Sequence, residues 1–100
     1  MITKFEWDDE KADKNLRKHG VAFETAARVF SDPLCFSRQD RFENGEERWQ
    51  TLGVVQEYLL LLVAHTIRDE ENGVDVIRII SARRANAVER RRYEKENREL

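Results

Sequence analysis

Three arginines stand on and directly after the most β-prone stretch of the chain, Val74 to Arg84. Five β-branched aliphatic residues within Val74 to Ile80 indicate a buried strand. Arg78 interrupts that run, and Arg83 and Arg84 follow where the strand should end. Because a guanidinium presents a planar fork of donors that matches a phosphate, we hypothesise that the three arginines converge on one phosphate group at the strand exit.

Chemistry at a phosphate without a metal requires a general base, cations that stabilise the negatively charged transition state, and a general acid for the leaving oxygen. His65, His19, Tyr93 and Lys18 are the proton-transfer candidates that the sequence offers. It shows no Cys, His or carboxylate cluster at metal-ligand spacing, which disfavours metal-dependent chemistry at a phosphate. It also shows no glycine-rich phosphate loop and no nucleophile elbow. We therefore expect neither a metal nor a cofactor.

Each of these side chains also has a structural interpretation. His65 lies in an apolar stretch, where a hydrogen-bonded core histidine is common. His19 ends a predicted helix, where a cation is stabilised by roughly 0.3 to 1 kcal/mol. Arg78 suits a buried ion pair, and Arg83 and Arg84 suit the edge of the sheet. Whether His65 and Arg78 share a face depends on a one-residue shift in strand register, which the sequence leaves open.

Composition indicates a single globular domain spanning residues 1–100, with 38% charged and 40% hydrophobic residues. The net charge of −2 argues against a protein that coats nucleic acid by bulk charge alone. Positive charge is nevertheless concentrated, since Arg78 to Tyr93 contains six arginines and one acid, Glu89. A single cysteine, Cys35, fits the reducing cytoplasm. The most apolar run, Tyr58 to Ala64, is too short to cross a membrane.

The N-terminal third of the chain predicts one strand and two helices. Ile2 to Trp7 alternates weakly and suggests a short strand. A helix capped by Asp8 or Asp9 should then run to Arg17-Lys18-His19 and end before Gly20, with acids first and cations last. Apolar residues at helical spacing predict a second helix over Phe23 to Phe30, which Asp32-Pro33 stops.

The remainder predicts further strands and a final helix. Leu34 to Phe36 starts an irregular strand that runs into a polar loop, Asp40 to Glu47, with Asn44-Gly45 as its turn. Three strands with short links follow, at Arg48 to Val55, Tyr58 to Arg68 and Val74 to Ser81. Asn86 and Glu89 resemble a capping box that opens a helix to about Arg98. The order β-α-α-β-β-β-β-α predicts an α+β domain: a small antiparallel sheet with two N-terminal helices and one C-terminal helix.

Seven blocks of sequence, in a fixed order along almost the whole chain, form a family-like pattern. The blocks are Phe5-Glu6-Trp7-Asp8 (followed by Lys11), Asn15-Leu16-Arg17-Lys18-His19-Gly20-Val21, Phe23-Glu24-Thr25-Ala26, Phe30-Ser31-Asp32-Pro33-Leu34, Val63-Ala64-His65-Thr66, Arg78-Ile79-Ile80-Ser81-Ala82-Arg83-Arg84-Ala85 and Glu89-Arg90-Arg91-Arg92-Tyr93-Glu94. This pattern resembles the BrnT toxin family. Departures are confined to the loop around Arg38 to Glu47, the turn at Asp69 to Gly73 and the tail after Glu94.

The resemblance implies a RelE-like ribonuclease toxin of a type II toxin–antitoxin pair, which inhibits translation and growth in the cytoplasm. It also implies a ribbon-helix-helix antitoxin, whose dimer would hold two toxin chains in a 2:2 heterotetramer and bind operator DNA. Together with the residue chemistry above, this places His65, Arg78, Arg83 and Arg84 among the catalytic candidates. The residues expected to contact RNA are Lys18, His19, Arg91 and Tyr93. The alternative is a non-catalytic module whose basic surface binds the antitoxin or the operator.

Overall fold

The computed structural model describes residues 2–70 and 72–97. In chain order the elements are β1 (Ile2–Glu6), α1 (Asp9–His19), α2 (Phe23–Ala27), a 3-10 turn (Arg28–Ser31), β2 (Phe36–Glu43), β3 (Glu46–Val55), β4 (Leu59–Glu70), β5 (Val74–Arg84) and α3 (Ala87–Asn97). This order confirms the predicted α+β arrangement. The second predicted helix is shorter than expected, because its last turn tightens into the 3-10 form.

The five strands form one sheet in the order β1-β5-β4-β3-β2. Strands β2 to β5 are an antiparallel meander, as expected. The expectation of a wholly antiparallel sheet is wrong at one pair, since β1 lies parallel to β5, from Ile2 opposite Val74 to Glu6 opposite Arg78. Parallel neighbours require a long crossover, and here both N-terminal helices and three strands lie between the two. The sheet is therefore mixed.

The segment expected to be a polar loop is instead a hairpin arm. Strand β2 continues to Glu43, and β3 begins at Glu46. Asn44 and Gly45 make the two-residue turn between them with φ values of 54° and 78°, the left-handed geometry that tight hairpins require. The polar side chains that suggested a loop therefore project from paired strands.

Local capping explains where α1 and α3 begin. Asp8 accepts hydrogen bonds at Oδ1 from the backbone amides of Glu10 (2.8 Å) and Lys11 (3.1 Å). At α3, the Glu89 amide donates to Asn86 Oδ1 at 2.8 Å, and the Asn86 amide donates to Glu89 Oε1 at 2.9 Å. Both predicted caps are thus confirmed. The predicted end of the last helix, near Arg98, lies outside the described residues.

The two faces of the sheet are covered unequally. We call the face beneath α1 and α2 the covered face; its core includes Phe23, Leu61, Val63, Ile77 and Ile79. The opposite face, here the open face, carries a smaller apolar cluster of Leu52, Leu60 and Leu62, with Phe36 and Tyr93 packed against it. Because α3 covers only that cluster, the other half of the open face lies outside the packed core.

Asn15 takes the place of a neighbouring strand at the edge of β5. Strand β1 ends opposite Arg78, so the outer edge of β5 beyond that point has no strand partner. The buried Asn15 amide donates to the carbonyl oxygens of Ala82 and Val21, each at 2.9 Å, and accepts from the Ala82 amide at 3.1 Å. One side chain therefore satisfies both polar backbone groups of Ala82 and fixes α1 along β5.

Replacing Asn15 with Ala should leave these buried backbone groups unpaired. We expect the free energy of unfolding to fall by about 2 to 4 kcal/mol, since each buried polar group without a partner costs about 1 to 3 kcal/mol. Urea unfolding followed by circular dichroism measures the change. The matched control is Lys14→Ala, which removes an exposed side chain of the same helix and should change stability by no more than about 0.5 kcal/mol. Equal losses in the two variants would contradict the assigned role.

Candidate active site

A β-bulge in β5 determines which side chains reach the open face. The residues on either side of Ile80 pair with adjacent residues of β4, so Ile80 is the extra residue. The usual alternation of faces resets at that point. Ile79 and Ala82 both join the core of the covered face, whereas Arg78 and Arg83 both lie on the open face.

Arg78 lines a polar cleft of about 170 Å³ beside this bulge. Three parts of the chain contribute to the cleft: the start of α1, the tip of the β2–β3 hairpin, and the middle of β4 and β5. Its lining residues are Asp8, Lys11, Asn44, Glu46, Arg48, Thr66, Arg78, Ile79 and Ile80. The cleft thus contains three cationic side chains and two carboxylates, which could bind a phosphate and accept a proton.

Arg78 itself is exposed, so the buried ion pair considered from the sequence is not formed. Within residues 2–70 and 72–97, no carboxylate makes an ion pair with it. Its charge still acts on its cross-strand neighbour Glu6, whose pKa is held below the ordinary range first by a hydrogen bond from Arg68 and more weakly by Arg78. The Arg78 guanidinium is therefore available to an anionic ligand.

Arg83 has a different environment, because Glu89 of α3 holds it. Its Nη1 and Nη2 donate to the two carboxylate oxygens of Glu89, each at 2.8 Å. Glu89 is only 8% exposed, and the hydrogen bonds from Arg83 are the main reason that its pKa lies below the ordinary range. This two-point ion pair fastens α3 to β5 and occupies most of the guanidinium's donors.

The structure does not bring the three arginines of the strand together. Arg84 pairs with Leu61 at the far end of β5, whereas Arg78 pairs with Thr66. At about 3.3 Å per strand residue, the Cα atoms of Arg78 and Arg84 lie roughly 20 Å apart. Convergence of all three on one phosphate, as hypothesised from their spacing, is therefore wrong.

His65 lies in the core of the covered face, where it is 0% exposed. Its Nε2 is 2.7 Å from Thr51 Oγ1, and its ring meets Phe30 edge-on at 4.9 Å. Thr66 is the residue opposite Arg78, so His65 and Arg78 project from opposite faces. Burial lowers the pKa of His65 to about 4. This environment matches a hydrogen-bonded core histidine, and in this conformation the imidazole cannot touch a substrate.

The four residues expected to contact RNA are dispersed, and none lines the cleft. Lys18 and His19 close α1, and His19 lies roughly 12 Å beyond Lys11 at 1.5 Å per helical residue. Arg91 is exposed on α3. The Tyr93 hydroxyl instead donates to Asp32 Oδ2 at 2.6 Å; burial and this carboxylate together raise the pKa of Tyr93. Tyr93 therefore anchors α3.

Sequence reasoning missed three charged residues of the cleft: Lys11, Glu46 and Arg48. Lys11 entered only as part of the pattern that resembles the BrnT family, and Glu46 lay within the expected loop. The Asn44-Gly45 turn was predicted, but the paired strands on either side of it were not, although a two-residue turn places the residues beside it on such strands. That turn fixes a hairpin but does not indicate that its tip lies beside Arg78.

The described residues contain neither a metal-binding cluster nor a membrane-spanning helix. Residues 2–70 and 72–97 contain no group of three or more His, Cys, Asp and Glu side chains arranged to hold a metal ion. Nor does any helix in that part of the chain have the length and apolar character needed to span a bilayer.

The fold and the cleft define a small α+β domain with a mixed sheet and a cationic site on its open face. Residues 7–89 match the sequence model of a family described as "Ribonuclease toxin, BrnT, of type II toxin-antitoxin system". The chain therefore belongs to the BrnT family of ribonuclease toxins, whose type II systems pair a toxin with an antitoxin.

A solved structure has the same fold. The 1.1 Å crystal structure of the Brucella abortus ribonuclease toxin BrnT matches with a TM-score of 0.58 and 19% sequence identity, covering 86% of this chain and 99% of that chain. This match confirms the α+β fold. A comparison with curated protein sequences gives no match.

The buried His65 should make stability depend on pH. Its pKa is about 4 in the folded protein and 6.5 when unperturbed, so the unfolded chain binds a proton first as the pH falls. The free energy of unfolding should therefore be highest above pH 6.5, where His65 is neutral in both states. It should fall by about 3 kcal/mol in total between pH 6.5 and pH 4. Urea unfolding at pH 7.5, 6 and 5 measures this loss.

The control for this prediction is His65→Gln, which keeps a polar side chain but does not titrate. It should be less stable than the wild type at pH 7.5 and show a flatter dependence on pH between 7.5 and 5. Asp32 and Glu89 also have lowered pKa values in the folded protein. The stability that they contribute is lost only at more acidic pH, from the ordinary carboxyl range downward, where the two carboxylates become protonated. The same slope in variant and wild type would refute the assignment to His65.

Proposed function

We propose that this chain is an endoribonuclease that cleaves RNA without a metal ion, and that it inhibits translation and growth in the cytoplasm. Membership of the ribonuclease toxin family supplies the class of reaction. The observation that supports cleavage without a metal is the cleft, which the exposed Arg78 lines together with Lys11 and Arg48. The attacking group is the ribose 2′-OH next to the scissile phosphate.

The charges in the cleft suit this chemistry. Attack by the 2′ oxygen gives a phosphorane with more negative charge than the starting phosphodiester, and fixed cations stabilise it relative to the ground state. Arg78 can hold two phosphate oxygens through its planar fork. Lys11 and Arg48 add charge from α1 and β3. These cations supply the electrostatic stabilisation that a divalent ion gives in metal nucleases.

The other candidate residues receive different roles in this proposal. Arg84, Lys18, His19 and Arg91 lie outside the cleft and would hold RNA phosphates that flank the reacting one. Arg83, Tyr93 and His65 would stabilise the fold and would not contact RNA, because another residue of the same chain holds each of them. Of the four catalytic candidates predicted from the sequence, we assign Arg78 alone to the reacting phosphate.

Purified protein should therefore cleave RNA in the presence of a chelator and leave fragments ending in 2′,3′-cyclic phosphate and 5′-OH. Arg78→Ala should lower kcat by about 100- to 1000-fold, as for loss of a comparable electrostatic group. Its melting temperature should change little, because the side chain is exposed. Gel electrophoresis with end-group analysis, and differential scanning calorimetry, measure the two quantities.

The matched control for Arg78 is Arg90→Ala, which removes an exposed arginine of α3 outside the cleft. It should retain wild-type cleavage. Activity that appears only after a divalent ion is added would refute metal independence. A protein that leaves RNA intact under all conditions, yet binds the antitoxin, would favour the non-catalytic binding module.

We further propose that the antitoxin is a ribbon-helix-helix protein, that two toxins and two antitoxins form a heterotetramer, and that the antitoxin dimer binds operator DNA. The family assignment supports an antitoxin partner. The three cations of the cleft favour an acidic segment of that partner, since opposite charges raise the rate of association. Such a segment would cover the cleft and silence the enzyme.

Static light scattering of the co-expressed pair should then give a mass of two copies of each chain. Stopped-flow association should slow as salt rises, and Lys11→Met with Arg78→Met should reduce that salt dependence. Lys14→Met is the control for charge removed elsewhere on α1. A complex with one copy of each chain at micromolar concentration, or no complex with the product of the neighbouring gene, would contradict the proposal.

A further inference from the structure

The β2–β3 hairpin places the carboxylate of Glu46 in the cleft. Of the two carboxylates that line the cleft, Asp8 is occupied as the cap of α1 through its Oδ1. Glu46 is exposed, and none of the ion pairs among residues 2–70 and 72–97 involves it. Glu46 is therefore the cleft carboxylate available to a ligand.

Strand geometry aims Glu46 and Arg48 into the same space. The two residues are separated by one position on β3, so their side chains share a face, while Glu47 between them projects to the other. The adjacent carboxylate, Glu43, contacts Arg41 at 2.9 Å and lies 3.7 Å from Arg48 Nε. That second distance is too long for a hydrogen bond. Glu43 thus positions Arg48 without neutralising it fully.

On this geometry, and resting on the ribonuclease function proposed above, we infer that Glu46 is the general base of RNA cleavage and Lys11 the general acid. Both face a phosphate bound between Arg78 and Arg48. The two groups come from two different elements that line the cleft, the hairpin tip and the first turn of α1. The general base would therefore be a residue of the hairpin arm rather than a histidine.

In this reaction one proton moves from the 2′-OH to Glu46 and another moves from Lys11 to the leaving 5′ oxygen. The Glu46 carboxylate takes the proton from the 2′-OH as the 2′ oxygen forms a bond to phosphorus. The bond between phosphorus and the 5′ oxygen then breaks, and the Lys11 ammonium gives its proton to that oxygen. The products are a 2′,3′-cyclic phosphate and a 5′-hydroxyl. Water afterwards exchanges protons with both side chains and returns Glu46 to the carboxylate and Lys11 to the ammonium.

The first experiment replaces the base. Glu46→Gln should lower kcat by about 100- to 10,000-fold, the usual contribution of a general base, with KM nearly unchanged. It should also remove the acidic limb of the pH–rate profile, and Glu46→Asp should restore part of the rate and that limb. Glu47→Gln, on the opposite side of the same strand, should behave as wild type. Melting temperatures measured alongside separate loss of chemistry from loss of fold.

Other charged groups lie around Glu46 and could also affect the pH–rate profile. They are Asp8 and Lys11 from α1, Glu43 from β2, Arg48 from β3 and Arg78 from β5. Asp8→Asn keeps the helix cap, because Asn caps as well as Asp, and should retain the acidic limb. Loss of the limb in Asp8→Asn, with its retention in Glu46→Gln, would overturn the assignment.

The second experiment tests the acid through the leaving group. Lys11→Arg keeps the positive charge but holds its proton too tightly to donate it, so cleavage of ordinary RNA should fall by at least 100-fold. A substrate with sulfur in place of the bridging 5′ oxygen needs no protonation of its leaving group. Lys11→Arg should cleave that substrate at close to the wild-type rate, whereas Glu46→Gln should remain slow. Lys14→Arg is the matched control and should cleave both substrates normally.

The outcomes separate this inference from the proposed function. If the wild type fails to cleave RNA in chelator, the ribonuclease proposal fails. If the wild type cleaves but Glu46→Gln retains rate and acidic limb, the base is another group and this inference alone fails. If Lys11→Arg is equally slow on oxygen and sulfur leaving groups, Lys11 is not the acid.

Discussion

Ile80 is the extra residue in the pairing of β4 with β5, and the two faces of the sheet are organised around it. Without this bulge, strict alternation from Ile79 would turn Arg83 toward α1 and α2 and Ala82 toward the open face. A guanidinium in that core would lack Glu89 and cost several kcal/mol to bury. The bulge removes this conflict, because it keeps the small Ala82 beneath α1 and leaves Arg83 facing α3.

The placement of Arg83 decides how the last helix is held. Helix α3 has few apolar residues, and two carboxylates supply much of its attachment. Glu89 binds Arg83, and Asp32 accepts hydrogen bonds from Tyr93 and from the backbone amides of Val54 and Leu34. Burial alone would raise the pKa of Asp32, but these hydrogen bonds outweigh it and the pKa lies below the ordinary range. The attachment therefore depends on charged carboxylates, and it leaves half of the open face free for the cleft.

Local signals in the sequence predicted the parts of the fold that neighbouring residues determine. The caps at Asp8 and Asn86 involve residues two or three positions away, so their patterns are readable without a structure. The parallel pairing of β1 with β5 joins residues more than 70 positions apart, and no local pattern encodes it. The bulge at Ile80 is likewise a property of two strands together. The face of His65 relative to Arg78 depended on both strands, which is why the sequence left it open.

The candidate site shows the same division. Residue chemistry singled out Arg78, which lines the cleft, but spacing along one strand suggested neighbours that lie too far away. The other charged groups come from α1 and from the hairpin arm, and only the folded sheet brings them beside Arg78. A chain of net charge −2 gains little from bulk attraction to RNA. In the proposed function, affinity and chemistry therefore come from short-range contacts in the cleft, where three cations set around one phosphate would outweigh acids placed elsewhere on the surface.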